Sequence, residues 1–252
     1  MSNDSATIKS ARRTLQVFEL FAELQRPATV TEIYRRLGLP QSSVSKLLRS
    51  FVKLGYIEYD HISRTFVPTL RMAILSGWLQ DRWFGQTGIL RVMESLCREL
   101  GTSAVLGVQN DTHVLYMLAL GATTKPKPRP VLPVGTLRPI CRAGVGKALL
   151  MTKSDKEVGL LVRRINAEES DPTRLINLTT LLKDLRECRR RGYALSSGAV
   201  IPGVSMIAAP WPLLPGQPQM ALGLGTYTDA LSEEKLERCV STLHRTLSSP
   251  VS

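Results

Sequence analysis

The chain has 252 residues, 43% of them hydrophobic and 21% charged, which is the composition of a folded protein rather than a disordered one. Lys and Arg number 33 against 21 Asp and Glu, leaving a net +12 that suits a polyanionic partner. No apolar run reaches the ~18 residues that cross a bilayer, and the first residues lack the apolar core of a secretory signal. Four scattered cysteines, Cys97, Cys141, Cys188 and Cys239, read as reduced thiols. A soluble cytoplasmic protein with no membrane partner is expected.

The charge is spread along the chain. Residues 1–82 carry 12 basic and 7 acidic side chains, a net +5, and residues 83–252 carry a net +7. Position therefore matters more than count. Leu15, Phe18, Phe21, Ala22 and Leu24 fall at helical spacing and predict a first helix over 10–25. Thr29 at a cap position and Glu32 three residues on form a capping box that opens a second helix, with Ile33, Tyr34 and Leu37 as its buried stripe. Gly38, followed by Leu39 and Pro40, suits a tight turn.

The third helix is the most informative stretch. Val44, Leu47, Leu48, Phe51 and Val52 make one apolar stripe. The other face holds Ser42, Ser43, Ser45, Lys46, Arg49, Ser50 and Lys53, and no acid occurs from Gln41 to Gly55. Gln41 and Arg49 can pair with base edges, while Lys46 and Lys53 suit phosphates. Small hydroxyls at Ser42, Ser43 and Ser45 let the helix approach DNA closely. This face is read as a recognition surface, with Thr31 on the preceding helix as a further contact. Residues 55–59 and 64–67 then alternate as a strand pair, so three helices and a hairpin make a winged helix-turn-helix. Arg64 at the hairpin tip can reach a phosphate or a narrow minor groove, and His61 has the same reach or is simply solvated.

These residues resemble the DNA-binding domain of the IclR family of bacterial transcriptional regulators. The matching stretches are Thr31-Glu32-Ile33, Leu37-Gly38-Leu39-Pro40, Ser43-Val44, Leu47-Leu48 and Leu54-Gly55-Tyr56-Ile57. Three later motifs are similar to the same family and in its order: Gly144-Val145-Gly146-Lys147-Ala148-Leu149-Leu150, Arg191-Gly192-Tyr193-Ala194, and Pro202 to Pro210. The expected organisation is α+β: a winged helix-turn-helix over 1–69, a linker helix over 70–84 with Trp78 and Trp83, and a mixed α/β domain over 85–252. In that last part the pattern predicts a helix over 86–100 with Ile89, Leu90, Met93, Leu96 and Cys97 on one side. Strands are expected over 102–108 and 113–120, joined by a turn at Asn110-Asp111. A proline-rich exposed loop then runs over 122–139, with the basic run Lys125 to Pro130. Helices follow near 146–151, 156–165, 180–191 and 232–247, with strands around 193–197, 204–209 and 220–227. The resemblance implies a GAF-like fold, an antiparallel sheet with helices on one face and a ligand pocket on the other.

Enzyme signatures fail. Gly144-Val145-Gly146-Lys147 lacks the earlier glycine and the following hydroxyl of a phosphate loop, since Cys141 and Ala148 stand there. Gly223-Leu224-Gly225 lacks the third glycine of a dinucleotide fingerprint. No Gly-x-Ser-x-Gly elbow exists, and neither the histidines nor the cysteines have metal-ligand spacing. No catalytic residue, metal or cofactor is assigned.

The resemblance further implies an effector site at Met117, Gly144, Val145, Ser196, Met206, Gly223 and Gly225, with a carboxylate at the helix start of Gly144 and Val145. Family members that hold small keto acids carry hydroxyls where Gly223 and Gly225 stand. Their loss is read as opening space for a bulkier, possibly aromatic acid, with Arg142 adding a cation. The partners expected are double-stranded operator DNA, a small-molecule effector and further copies of the chain, as homodimer or homotetramer. The alternative is an enzyme or metabolite-binding protein whose winged helix mediates protein contacts only.

Overall fold

The computed structural model describes residues 8–75, 77, 88–121, 134–213 and 216–248. Two compact units divide the chain, residues 1–86 and 87–252. The expected linker helix begins in the first as α4 (71–75). Trp78, Trp83 and the Lys125–Pro130 run lie outside the described residues.

The first unit comprises α1 (Lys9–Leu24), β1 (Ala28–Thr29), α2 (Val30–Leu37), α3 (Gln41–Lys53), β2 (Ile57–Asp60) and β3 (Thr65–Pro68). Its core gathers Val17, Leu20, Phe21, Ile33, Val44, Leu48, Phe51 and Ile57, one stripe from each helix, as amphipathic spacing requires. The stripe of α1 is turned from the expected one: Val17 and Leu20 are buried, whereas Leu15 is exposed and Ala22 faces solvent. The capping box is half made. The Thr29 hydroxyl accepts the Glu32 N–H at 3.3 Å, but the Glu32 carboxylate turns to the Arg26 guanidinium at 2.6 Å, so the side chain that would close the box is held by a stronger, charge-assisted partner. Gly38 ends α2 at φ +61°, a left-handed conformation that a Cβ disfavours. The hairpin gains a third strand: Ala28 pairs with Phe66 and Thr29 with Thr65, giving the order β1-β3-β2.

The second unit runs α5 (Ile89–Leu100), β4 (Ser103–Asn110), β5 (His113–Leu120), β6 (Leu137–Pro139), α6 (Gly144–Met151), α7 (Asp155–Glu168), α8 (Leu178–Arg191), β7 (Ala194–Ser197), β8 (Val204–Pro210), β9 (Met220–Tyr227) and α9 (Glu233–Ser248). All strand pairs are antiparallel, in the order β6-β5-β4-β9-β8-β7. Two expectations change here. The end of the proline-rich segment is the edge strand β6, not loop, and the β4–β5 turn falls at Asp111-Thr112, with Asp111 at φ +55°. The two strands slip register at Leu106/Gly107, where Leu106 faces Leu118 and Gly107 faces Tyr116. Met117 is the extra, bulged residue.

The helices do not lie on one face, as expected, but on both. β4 and β9 are buried along nearly their whole length, which requires cover on each side. On one side α6 packs on Val105, Val114, Tyr116, Met206 and Ala208 through Val145 and Leu149. Lys235 on α9 reaches Thr226 on the other side at 3.2 Å, and α9 pairs with α5 through Arg245 and Glu99. Helices α7 and α8 enclose a further core with Ile140, Leu150, Val158, Val162, Leu181 and Leu185. Gly146 is where α6 meets the preceding segment: a Cβ there would stand 2.1 Å from the Ile140 carbonyl oxygen, so only glycine fits.

Candidate functional site

In the first unit, α2, α3 and the hairpin enclose a groove of about 820 Å³. Thr29, Val30 and Thr31 bring the start of α2 to it. Ser45, Arg49 and Val52, spaced four and three residues apart, present one face of α3, and Tyr59, Arg64 and Phe66 close it from the hairpin. Of the residues singled out from sequence, Thr31, Ser45, Arg49 and Arg64 converge here. Gln41, Ser42, Lys46 and Lys53 are exposed along the same helix outside the groove, and Ser43 is half-buried. Arg49 Nε donates to the Ser45 carbonyl at 3.3 Å, which fixes the stem of the guanidinium along the helix.

The hairpin tip is held rigidly. Asp60 accepts the Ile62 N–H at 2.8 Å and the Ser63 hydroxyl at 2.6 Å, and these hydrogen bonds hold its carboxyl below the usual range. Arg64 leaves the tip in a left-handed conformation, φ +55°. Tyr59 stacks on Phe66 at 4.6 Å and meets His61 edge-on at 4.8 Å, so His61 belongs to an aromatic cluster. Tyr59 and Phe66 were missed in sequence because they read only as strand residues. The groove's two guanidinium groups, its hydroxyls and the N-terminus of α2 together form a surface suited to a phosphodiester strand.

In the second unit, the start of α6 sits over β7, β8 and β9. No side chain caps it. Gly144, Ser196 and Met206 meet there, with Tyr116, Arg138, Ala143, Val200, Ile201 and Val204, around a cavity of about 20 Å³, room for roughly one water. Val145, Gly223 and Gly225 lie beneath it. The expected open space at the two glycines is occupied: a Cβ on Gly223 would stand 2.8 Å from Met206 Sδ and 2.6 Å from Val145 Cγ2, and one on Gly225 3.4 Å from Met206 Cε. The glycines therefore make room for the Met206 side chain, not for a standing void. Met117 does not line the cavity, because the bulge gives that place to Tyr116.

The expected cation is also different. Arg142 turns away, its Nη2 donating to the Arg174 carbonyl at 2.8 Å. The cation at the cavity is Arg138. It pairs in register with Val114 on β5 and so shares the face of Val114 and Tyr116. Burial pushes the Tyr116 hydroxyl up to about 12, against the opposing pull of Arg138, so it stays a neutral donor. Lys147 of the Gly-Lys motif does not face the cavity either. Its Nζ binds Asp184 Oδ2 at 2.6 Å and ties α6 to α8. All four cysteines are buried, and among the described residues no cluster of His, Cys, Asp and Glu could hold a metal.

Residues 10–61 match the IclR helix-turn-helix domain and residues 87–251 the C-terminal domain of bacterial IclR transcriptional regulators. The transcriptional regulator BhcR of Paracoccus denitrificans is 29% identical over 93% of this chain and 83% of its own. Among solved structures, an IclR regulator from Alicyclobacillus acidocaldarius superposes with TM-score 0.75 at 23% identity, over 96% of this chain and 97% of that one. An IclR homologue from Microbacterium hydrocarbonoxydans, solved with 4-hydroxybenzoate, gives 0.70 at 20% identity over 93% and 97%. With both domain models matched in order across nearly the whole length, the chain belongs to the IclR family of bacterial transcriptional regulators and is not an enzyme.

Proposed function

We propose that the protein binds operator DNA through the α3 face and the groove beside it, and that a small organic acid held at the start of α6 changes that binding. The observation that carries the DNA reading is the convergence of Thr31, Ser45, Arg49 and Arg64, from three separate elements, on one groove bordering an acid-free helix. In this reading Arg49 contacts a base edge or the adjoining phosphate, Arg64 follows the backbone from the hairpin, and Gln41, Ser42, Ser43, Lys46 and Lys53 complete the contact along α3.

The ligand class is a carboxylic acid with an apolar, aromatic body. The bound 4-hydroxybenzoate of the Microbacterium homologue supports it, as does a cavity closed by one unbranched thioether. Effector binding shifts the DNA-binding equilibrium by its differential affinity for two arrangements of the protein. A homodimer or homotetramer presents paired recognition helices to half-sites a helical turn or more apart.

Fluorescence anisotropy with the promoter DNA flanking the protein's own gene tests the reading. Arg49→Ala weakens binding by about 1–3 kcal/mol and relaxes sequence preference, and Lys53→Ala flattens the salt dependence by about one unit of slope. Unchanged affinity in Arg49→Ala would refute the assignment of the α3 face.

A further inference from the structure

We propose that Arg138 sets the charge of the effector, pairing through its guanidinium with a carboxylate whose apolar body takes the place of the Met206 side chain; this rests on the effector reading above. Arg138 Nε is buried and has no hydrogen-bond partner among the described residues. A buried guanidinium N–H without an acceptor is costly and unusual in folded proteins. It sits where Tyr116, Ser196 and Gly144 also line a cavity, and its strand register aims it to the same face as Tyr116. Tyr116 offers a neutral hydroxyl at any physiological pH, with burial holding its proton on. The Ser196 hydroxyl lies 3.0 Å from where a Cβ of Gly144 would be. Donors from Arg138, Tyr116 and Ser196 thus border one cavity, and among the described residues no carboxylate lines it.

Other cations nearby do not compete. Arg142 is bound to the Arg174 carbonyl, and Lys147 to Asp184. The groove beside His113 and Cys141 contains Glu168 and Glu169 as well as Arg142 and Arg174, so it selects no sign of charge. The space for the ligand's body comes from Met206. Its Cγ, Sδ and Cε lie against Gly144, Gly223 and Gly225, and three rotatable bonds let a methionine withdraw where a branched residue cannot. Once it withdraws, the vacated walls are Val105, Val145 and the two strand glycines, which make a flat apolar slot next to the cation.

Isothermal titration of the full chain with benzoate, 4-hydroxybenzoate and pyruvate, each beside a neutral counterpart (benzamide, 4-hydroxybenzamide, acetone), tests this. Wild type binds at least one acid at least ~10-fold more tightly than its neutral counterpart, as one charge-assisted pair implies. Arg138→Met erases that preference while binding the neutral compound as well as wild type does. Arg138→Lys recovers part of it, and Arg142→Met keeps all of it. A melting curve of the Arg138→Met apoprotein that matches wild type excludes misfolding as the cause. An acid preference that survives Arg138→Met, or one lost in Arg142→Met, overturns the role of Arg138 and leaves the effector reading standing. A wild-type protein that binds none of the six compounds removes the effector reading itself, and the proposal with it.

Discussion

Met206→Ala is the sharpest probe of the second unit. The side chain is 6% exposed and fills the space that Gly144, Gly223 and Gly225 leave. Truncation removes three heavy atoms beyond Cβ, worth about 2.4 kcal/mol at ~0.8 kcal/mol per methylene-sized group. The void cannot collapse fully, because backbone of two paired strands and a helix start surrounds it, so a cavity term brings the cost to about 3 kcal/mol. For a unit of this size that lowers the melting temperature by roughly 6–12 °C. The same variant has a slot already open, so benzoate at about 100 times its dissociation constant restores ~2.7 kcal/mol and binds more tightly than to wild type. Differential scanning fluorimetry with and without benzoate reads both effects. A variant melting within about 2 °C of wild type, at ~2–4 °C per kcal/mol, would mean that Met206 does not occupy the space between the glycines.

Gly223→Ala forces a Cβ against Val145 and Met206 and destabilises by about 1–3 kcal/mol; adding Met206→Ala relieves only part of this, because Val145 is fully buried, and denaturant melts of the single and double variants measure the remainder. Asp184→Asn weakens the tie from α8 to the half-buried Lys147 and costs about 1–2 kcal/mol, with a double-mutant cycle against Lys147→Met recovering the coupling. Asp155 is held below the usual carboxylate range, chiefly by its hydrogen bond to Arg189 and then by Arg186. Its contribution is therefore complete above the unfolded value of about 3.9 and fades as pH falls through the lowered one. Acid unfolding of Asp155→Asn against wild type checks the sign: the two curves differ at neutral pH and converge below that range.

How much of this was legible beforehand depended on whether a feature is local. The α3 face was readable because its period and its missing acids lie within thirteen consecutive positions. β1 was not, since a two-residue strand has no period and exists only through its pairing with Thr65 and Phe66. β6 was hidden by Pro139 and the prolines before it, yet an edge strand tolerates proline because one of its sides needs no donor. Arg142 drew attention by sitting two residues before the Gly-Lys motif, whereas Arg138 gains its place only from its register with Val114. The two strand glycines were read as opening space at the site. What fills that space is a side chain from the neighbouring strand, which no local pattern announces.

Closing a slot with Met206 instead of with its walls has a consequence for selectivity. Rigid walls give a steep size threshold: a ligand one methylene too long clashes, and affinity collapses. A thioether with several accessible rotamers yields by degrees, so homologous acids of increasing bulk should lose affinity gradually and several chemotypes should share one binding mode. Replacing Met206 by Leu or Ile would stiffen that response without altering a single wall residue. With the effector seated as proposed, the breadth of ligands tolerated is set by the pliancy of one side chain, and a single codon is enough to narrow it.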